Sequence, residues 1–294
     1  MISIIIPSYN SQDTIDQCLN AVYSQKDSNI NFEVIIVDCS PGNEVDKIIK
    51  QKYADTIFIK EKRCLLPGLS RNIGAERAQG KLLLFVDDDV ILEKGSLGKI
   101  WQYYLDGYEI FSGAFEVGEY FALSWAGFTK HLFFKHEYQK RRKMESRRYL
   151  GAGLLACDRE VFLKEKGFRP LPQGEDTEFT ERLSKKGYKL FFIPDIIVHL
   201  IHVETLYKVL TKIFNIGFYI YQVRYEKYAN WKKFSFIALL PIFAFVKIAR
   251  IFIRNLIFLE SHQKTKLVLA SPLLFVYGIA WMFGIYKAFL KSAF

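Results

Sequence analysis

The chain has 294 residues, half of them hydrophobic, and a formal net charge of +10. It carries enough apolar material for a sizeable core, which excludes a disordered chain or a small disulfide-framed module. The charge is unevenly placed: from residue 205 onward 13 Lys and Arg face only Glu226 and Glu260, whereas the preceding part is nearly balanced. A basic segment that is also dense in Phe, Ile, Leu and Tyr suits an anionic membrane surface, and it argues against nucleic acid as a partner.

Met1 runs directly into a strand-like segment with no secretory leader, so the N-terminal part is expected to face the cytoplasm. Cys18, Cys39, Cys64 and Cys157 lack Cys-x-x-Cys spacing and read as reduced thiols.

Residues 2–6 are a β-branched run stopped by Pro7-Ser8-Tyr9-Asn10, and 11–25 carry helical spacing at Ile15, Leu19 and Val22. A second strand, 32–37, ends in Asp38-Cys39-Ser40-Pro41-Gly42, a turn-forming cluster before the amphipathic stretch 45–53. Residues 55–59 read as a third strand, 69–78 as a helix closed by Gly80, and 81–86 as a buried strand ending in Asp87-Asp88-Asp89. This alternation predicts a parallel sheet with right-handed crossovers. Beyond it the pattern predicts a helix at 97–105, strands at 109–115 and 151–157, a helix at 175–186 and strands at 190–193 and 196–200. Residues 120–148, aromatic and basic, receive no element.

Leu206 opens a stretch to residue 228 with amphipathic helical spacing suited to a membrane interface. Residues 267–286 contain no charge and have the length of a bilayer span. Residues 234–259 are ambiguous, because Pro241, Lys247, Arg250 and Arg254 make a simple span costly. The division expected is a catalytic domain over 1–204 and a membrane-association region over 205–294.

Ligands of open α/β sheets bind beyond the carboxyl ends of the strands, which is where Asp87, Asp88 and Asp89 fall. Three adjacent carboxylates repel, and a hard divalent cation bridging phosphate oxygens would offset that repulsion; a solvated acidic turn is the plain alternative. Glu175 and Asp176 at a helix start are favoured by the macrodipole whether or not they do chemistry.

Together, the run from Ile4 through Pro7 to Asn10, Val34-Ile35-Ile36-Val37-Asp38, Ser70-Arg71-Asn72-Ile73-Gly74, Asp87-Asp88-Asp89 and Gly174-Glu175-Asp176 resemble, in order and spacing, the motifs of family 2 glycosyltransferases. The resemblance implies an α/β fold of the GT-A type, Rossmann-like and mostly parallel, followed here by membrane-associated helices. It implies inverting transfer of a sugar from a nucleotide-diphosphate donor with Mg2+ or Mn2+ as cofactor.

Residue by residue, it implies nucleobase contacts at Pro7, Tyr9 and Asp38, with Cys39 standing where the family often has a second acid. Arg71 and Asn72 would meet the diphosphate or ribose, Asp87 the ribose or cation, and Asp89 the cation, with Asp88 beside them. Asp176 would be the base that deprotonates the acceptor hydroxyl, with Gly151-Ala152-Gly153 bordering the acceptor. His199 and His202 are candidate metal ligands, His202 preferred because it lies nearer the next helix.

The reading that follows is a membrane-associated transferase on the cytoplasmic face. It would move one sugar, from a UDP-sugar by preference, to a lipid-linked or cell-envelope glycan. A polyprenyl-phosphate sugar transferase is the alternative within the same chemistry. A catalytically inactive nucleotide-sugar-binding scaffold and a nucleotidyltransferase are the alternatives from other classes. Gln222-Val223-Arg224-Tyr225 does not supply the Gln-x-x-Arg-Trp motif of processive synthases.

Overall fold

The computed structural model describes residues 1–25, 30–117, 124–201, 205–226 and 228–293. The chain forms two compact units, one of Met1–Gly118 with Arg142–Ile201, the other of Glu119–Arg141 with His202–Phe294. Residues 119–141 therefore group with the C-terminal helices, which departs from the 1–204 and 205–294 division drawn from the sequence.

In the first unit β1 (Ile2–Ser8) pairs in parallel with β2 (Phe32–Asp38) along its whole length, and α1 (Ile15–Tyr23) connects them, burying Ile15, Cys18, Leu19 and Val22. After α2 (Glu44–Lys52), β3 (Ile57–Lys60) adds in parallel to β2. Next, α3 (Pro67–Arg77), opened by a proline whose fixed φ suits a first helical turn, leads to β4 (Leu82–Val86), all five of whose residues are buried. β4 lies on the other side of β1, giving the order β3-β2-β1-β4. The β1–β4 register ends at Ile5 and Phe85, while β1 continues to Ser8 against β2 alone. The chain thus opens a crevice at the point where strand order reverses, the ligand position of such sheets.

The sheet is parallel through these four strands and mixed beyond them. β5 (Val90–Leu92), α4 (Ser96–Leu105) and β6 (Ile110–Glu116) follow, then α5 (Trp125–Lys135) of the second unit. β7 (Glu145–Arg147), β8 (Leu154–Asp158), α6 (Arg159–Lys164), α7 (Glu175–Lys185) and β9 (Leu190–Leu200) complete the first unit. β8 inserts antiparallel between β4 and β6, β6 pairs in parallel with β9, and β5 and β7 pair antiparallel with β9. The two strands expected at 190–193 and 196–200 are one strand. Its register slips between Gly113 and Ala114 opposite, so the Pro194 and Asp195 segment bulges without ending the ladder. Gly80 does not cap α3 in the left-handed region. It is glycine because a Cβ there would lie 2.7 Å from the Ser3 nitrogen.

Four phenylalanines join the strand that carries the carboxylates to the helix that carries Glu175 and Asp176. Phe85 lies 5.0 Å from Phe162 and 5.2 Å from Phe168, and both of those rings contact Phe179 of α7, at 5.1 and 4.9 Å.

The second unit packs α5 with α8 (Leu206–Arg224), α9 (Asn230–Phe258) and α10 (Ser261–Ala293). α5 is buried all round from Ala126 to Phe133, as expected of a helix enclosed by others. The Tyr277 hydroxyl donates to the Ala126 carbonyl, and the Asn255 amide donates to the Leu132 carbonyl. The backbones of α8 and α10 approach closely at two glycines: a Cβ on Gly217 would lie 2.1 Å from the Trp281 carbonyl oxygen, and one on Gly284 2.0 Å from that of Phe214. Such small-residue crossings are the usual contact between helices in lipid.

α9 and α10 are both long and apolar enough to cross a membrane. The charges that made 234–259 ambiguous are partly resolved inside the unit. Lys247 sits 3.8 Å above the Trp281 ring and 5.0 Å from that of Phe133, and Arg254 pairs with Glu137, while Arg250 remains exposed.

Candidate functional site

The acidic triplet is a tight turn between β4 and β5. The Asp87 N–H donates to the Gly153 carbonyl (3.1 Å), the Val90 N–H closes back on the Asp87 carbonyl (3.1 Å), and the Ile201 N–H donates to the Asp89 carbonyl (2.8 Å). The backbone of β9's end and of the small-residue segment before β8 therefore fixes the turn from two sides. Behind it, the Cys18 thiol of α1 contacts the Asp87 carbonyl at 3.7 Å.

Asp88 keeps some exposed surface, but its carboxyl is packed round by protein, with the Tyr9 N–H and the Ser11 hydroxyl donating to it. Burial, with Asp89 and Asp87 alongside, pushes this carboxyl up from 3.8 to about 8. The folded protein then binds a proton that the unfolded chain releases near pH 4, so this group's contribution to stability falls as pH rises from about 4 to about 8. Without divalent cation, the melting temperature is expected to drop over that interval, and Asp88→Asn is expected to flatten the drop. Differential scanning calorimetry across the interval checks this, and a wild-type slope retained in the variant would remove Asp88 as its source.

Arg71, 5% exposed, links the turn to α7: Nη2 donates to Asp87 Oδ1 at 2.6 Å and Nη1 to Glu175 Oε1 at 2.8 Å. Its Nε is buried without a partner among the described residues. Gly68, one turn earlier in α3, lets Glu175 approach, because a Cβ there would lie 2.9 Å from the Glu175 side chain. Burial and the neighbouring Asp176 raise the Glu175 carboxyl, with Arg71 opposing them. Arg71→Met would strand two carboxylates, and a loss of about 3 kcal/mol is expected in urea unfolding, as for other buried pairs broken on one side. Arg71→Met combined with Glu175→Gln should recover part of that loss.

Asp176, in the first turn of α7, is anchored at both oxygens: Oδ2 accepts the Ala152 N–H at 3.0 Å, and Oδ1 accepts the Thr177 N–H at 2.6 Å. Thr180, one turn on, exchanges hydrogen bonds with the Leu150 backbone, both at 3.0 Å. The Gly151-Ala152-Gly153 segment is thus held between the acidic turn, through Gly153, and Asp176, through Ala152.

Pro7 ends β1 beside the crevice, where only β2 pairs with it, so its missing N–H costs no ladder bond on the β4 side. The Tyr9 side chain is 53% exposed on the same loop. Asp38 is fully buried, and both of its oxygens are bonded within this chain: Oδ1 accepts from Ser8 Oγ (2.9 Å) and Ser40 Oγ (2.6 Å), and Oδ2 from Lys60 Nζ (2.6 Å). It ties together the ends of β1, β2 and β3, with Oδ1 taken by the serines and Oδ2 by Lys60.

Asn72 departs from expectation. Its amide donates to the Phe168 carbonyl (2.8 Å) and accepts the Phe168 N–H (3.0 Å), so it clamps the segment before α7. Cys39 is buried, with its thiol 3.3 Å from the Ser70 hydroxyl of α3. His199 Nε2 lies 3.3 Å from Glu93 Oε2, paired across β5 and β9, and His202 lies outside the described residues. Of the basic clusters, Arg142 and Arg147 contact Glu145, and Arg148 contacts Glu181.

Ser8, Ser11, Ser40 and Lys60 are the participants that sequence reasoning missed. Ser8 and Ser40 lay inside motifs already singled out, and Ser11 directly after the first of them, but nothing local marks Lys60.

Among the described residues no group of three His, Cys, Asp or Glu forms a closed metal cage. The turn still suits a hard cation. Its donors are carboxylate oxygens. Mg2+-like ions commonly take one or two carboxylates and complete their shell with substrate phosphates.

This sheet, with its reversal-point crevice and acidic turn, is a GT-A fold. The mannosyltransferase PcManGT of Pyrobaculum calidifontis, solved with GDP-Man and Mn2+, superposes with a TM-score of 0.63 at 14% identity, covering 99% of this chain and 87% of that one. TarS 1–349 of Staphylococcus aureus, solved with UDP-GlcNAc, gives 0.54 at 17% identity, covering 97% and 91%.

The model described as Glycosyl transferase family 2 matches residues 3–164, more than half of the chain, and the protein belongs to that family. In sequence it is 33% identical over 99 residues to TarS, a poly(ribitol-phosphate) beta-N-acetylglucosaminyltransferase, a match that spans 32% of this chain and 17% of TarS. It is 27% identical over 206 residues to glycosyltransferase AglE of Haloferax volcanii, spanning 67% of this chain and 65% of that one.

Proposed function

We propose that the protein transfers a single sugar, with inversion, from a nucleotide-diphosphate sugar to a lipid-linked or cell-envelope glycan, working at the cytoplasmic face of a membrane. A UDP-sugar is the preferred donor. The observation that carries this reading is the buried Asp87–Arg71–Glu175 bridge, which puts the donor-side acidic turn and the helix start bearing Asp176 on one support.

The base and diphosphate of the donor lie in the crevice where β1 and β4 part. The exposed Tyr9 ring offers a stacking face, and Asp38, Ser8, Ser40 and Lys60 set the shape of the floor. A divalent cation, held by Asp89 and Asp87 with the donor phosphates, would neutralise the departing nucleoside diphosphate. Asp176 accepts the proton of the acceptor hydroxyl. Each of its oxygens already takes one backbone N–H and keeps a lone pair, so the carboxylate is oriented before the acceptor arrives. Single displacement needs no second nucleophile. TarS acts on a poly(ribitol-phosphate), which supports an envelope polymer as acceptor, and the two apolar helices support membrane attachment.

A panel of UDP-, GDP- and dTDP-sugars with Mn2+ tests the reading. One donor is expected to release its nucleoside diphosphate in the presence of membrane extract. Release of pyrophosphate would indicate nucleotidyl transfer instead, and binding without turnover of any donor would leave a nucleotide-sugar-binding scaffold.

A further inference from the structure

The second unit contains a groove of about 740 Å³ between α8, α9 and α10, lined by Phe214, Ile237, Ala280, Phe283, Tyr286 and Lys287. That volume is in the range of small-molecule sites, and apart from Lys287 and the Tyr286 hydroxyl the lining offers only hydrocarbon and aromatic surface. The Tyr286 hydroxyl is turned to the Ile237 carbonyl at 3.4 Å, which leaves Lys287 as the polar group at the groove. The Lys287 ammonium lies 5.5 Å from the Phe214 ring and that of Lys291, one turn on, 6.0 Å from Phe218. Neither has a carboxylate partner among the described residues.

The surroundings indicate what lies there. Phe234 meets Phe289 at 5.4 Å, so the start of α9 and the end of α10 share one end of the unit, bringing Lys232 and Lys233 near Lys287 and Lys291. Trp231 is 68% exposed and Tyr228 about half exposed at the same end. Lysines interleaved with Trp and Tyr mark a membrane interface, and the exposed Leu239, Ile242, Phe243 and Phe245 further along α9 would lie at hydrocarbon depth. An apolar slot that starts at a cationic collar matches an amphiphile with an apolar chain and a negative head.

We propose that this groove holds one acyl chain of an anionic membrane phospholipid, with the headgroup phosphate at Lys287 and Lys291. The site goes beyond sugar transfer and rests on the membrane attachment proposed above. It would make attachment selective for anionic bilayers, since each lysine near such a surface adds roughly fivefold in affinity.

Two measurements on the full chain separate attachment from the groove. Flotation with vesicles of phosphatidylcholine, alone or with equal phosphatidylglycerol, reads attachment. Native mass spectrometry after reconstitution in nanodiscs of equal phosphatidylcholine and phosphatidylglycerol reads retained lipid. One phosphatidylglycerol per chain is expected to be retained in preference. Lys287→Gln and Lys291→Gln should each lower its retention about fivefold while flotation persists. Ala280→Phe, which fills the slot, should lower retention of both lipids. Protein that floats but retains no lipid, retains both lipids equally, or keeps wild-type retention in the lysine variants overturns the site. Retention of a polyprenyl phosphate from native membranes in place of phosphatidylglycerol overturns the occupant. Failure to float in any vesicle overturns attachment itself and leaves the transfer reading intact.

Discussion

Asp176→Asn is expected to bind donor and divalent cation as the wild type does while kcat falls by about 10²- to 10⁴-fold, the usual contribution of a positioned general base. An asparagine has one side-chain oxygen where Asp176 uses two, so it keeps either the Ala152 or the Thr177 hydrogen bond and loses the other. That costs about 1 kcal/mol of stability, and assays well below the melting transition separate it from the lost proton transfer. Asp176→Glu restores the carboxylate but moves it by a methylene, and should recover only part of the rate, because the backbone N–H groups that orient it are fixed. Nucleoside diphosphate release and calorimetric donor binding give the two readouts. Transfer at the wild-type rate in Asp176→Asn would assign the base to another residue.

Asp89→Ala, or chelation of the divalent cation, should abolish transfer, with a loss of at least about 10³-fold if the cation supplies the several kcal/mol usual for a Lewis acid. The same change should act in the opposite direction on the folded protein without cation. Asp89 is the neighbouring charge that does most, after burial, to raise the Asp88 carboxyl, so its removal relieves repulsion in the turn. At pH 8 and without cation, Asp89→Ala should melt above the wild type. Adding Mn2+ with nucleoside diphosphate should stabilise the wild type and leave the variant unchanged. A variant that melts below the wild type under those conditions, or that responds to Mn2+ as the wild type does, would move the cation away from Asp89.

The parts of this fold that were legible in the sequence are those written in contiguous residues. The runs ending at Pro7, Asp38 and Asp87 are strands because each is mostly apolar and stopped by a turn former. The side-chain pairings were not legible, because they join residues remote in the chain. Arg71 meets Glu175, 104 positions on, and Asn72 is taken up by the backbone of Phe168. The bonds of Asp38 to Lys60 and the two serines were equally hidden, since Lys60 lies 22 positions on. The strands read separately at 190–193 and 196–200 are one, because a bulge opposite Gly113 and Ala114 absorbs the residues between them. The segment 120–148 gave no periodicity because α5 is buried on every side, with Thr129, Lys130 and His131 enclosed along with its apolar residues, and residues 120–123 lie outside the described part.

The enclosure of α5 has a consequence for the order in which the chain is made. Every residue of this helix from Ala126 to Phe133 is buried in the folded unit, Lys130 and His131 included, but the helices that cover it begin at Leu206. At roughly 5–20 residues per second, the intervening chain takes about 4 to 14 seconds to appear, and α5 has no partner from its own unit in that time. The segments on either side of it, meanwhile, belong to the first unit and can begin pairing. Synthesis therefore holds a helix without its cover between two halves of the sheet, and a chaperone or the membrane itself is the natural place for it to wait.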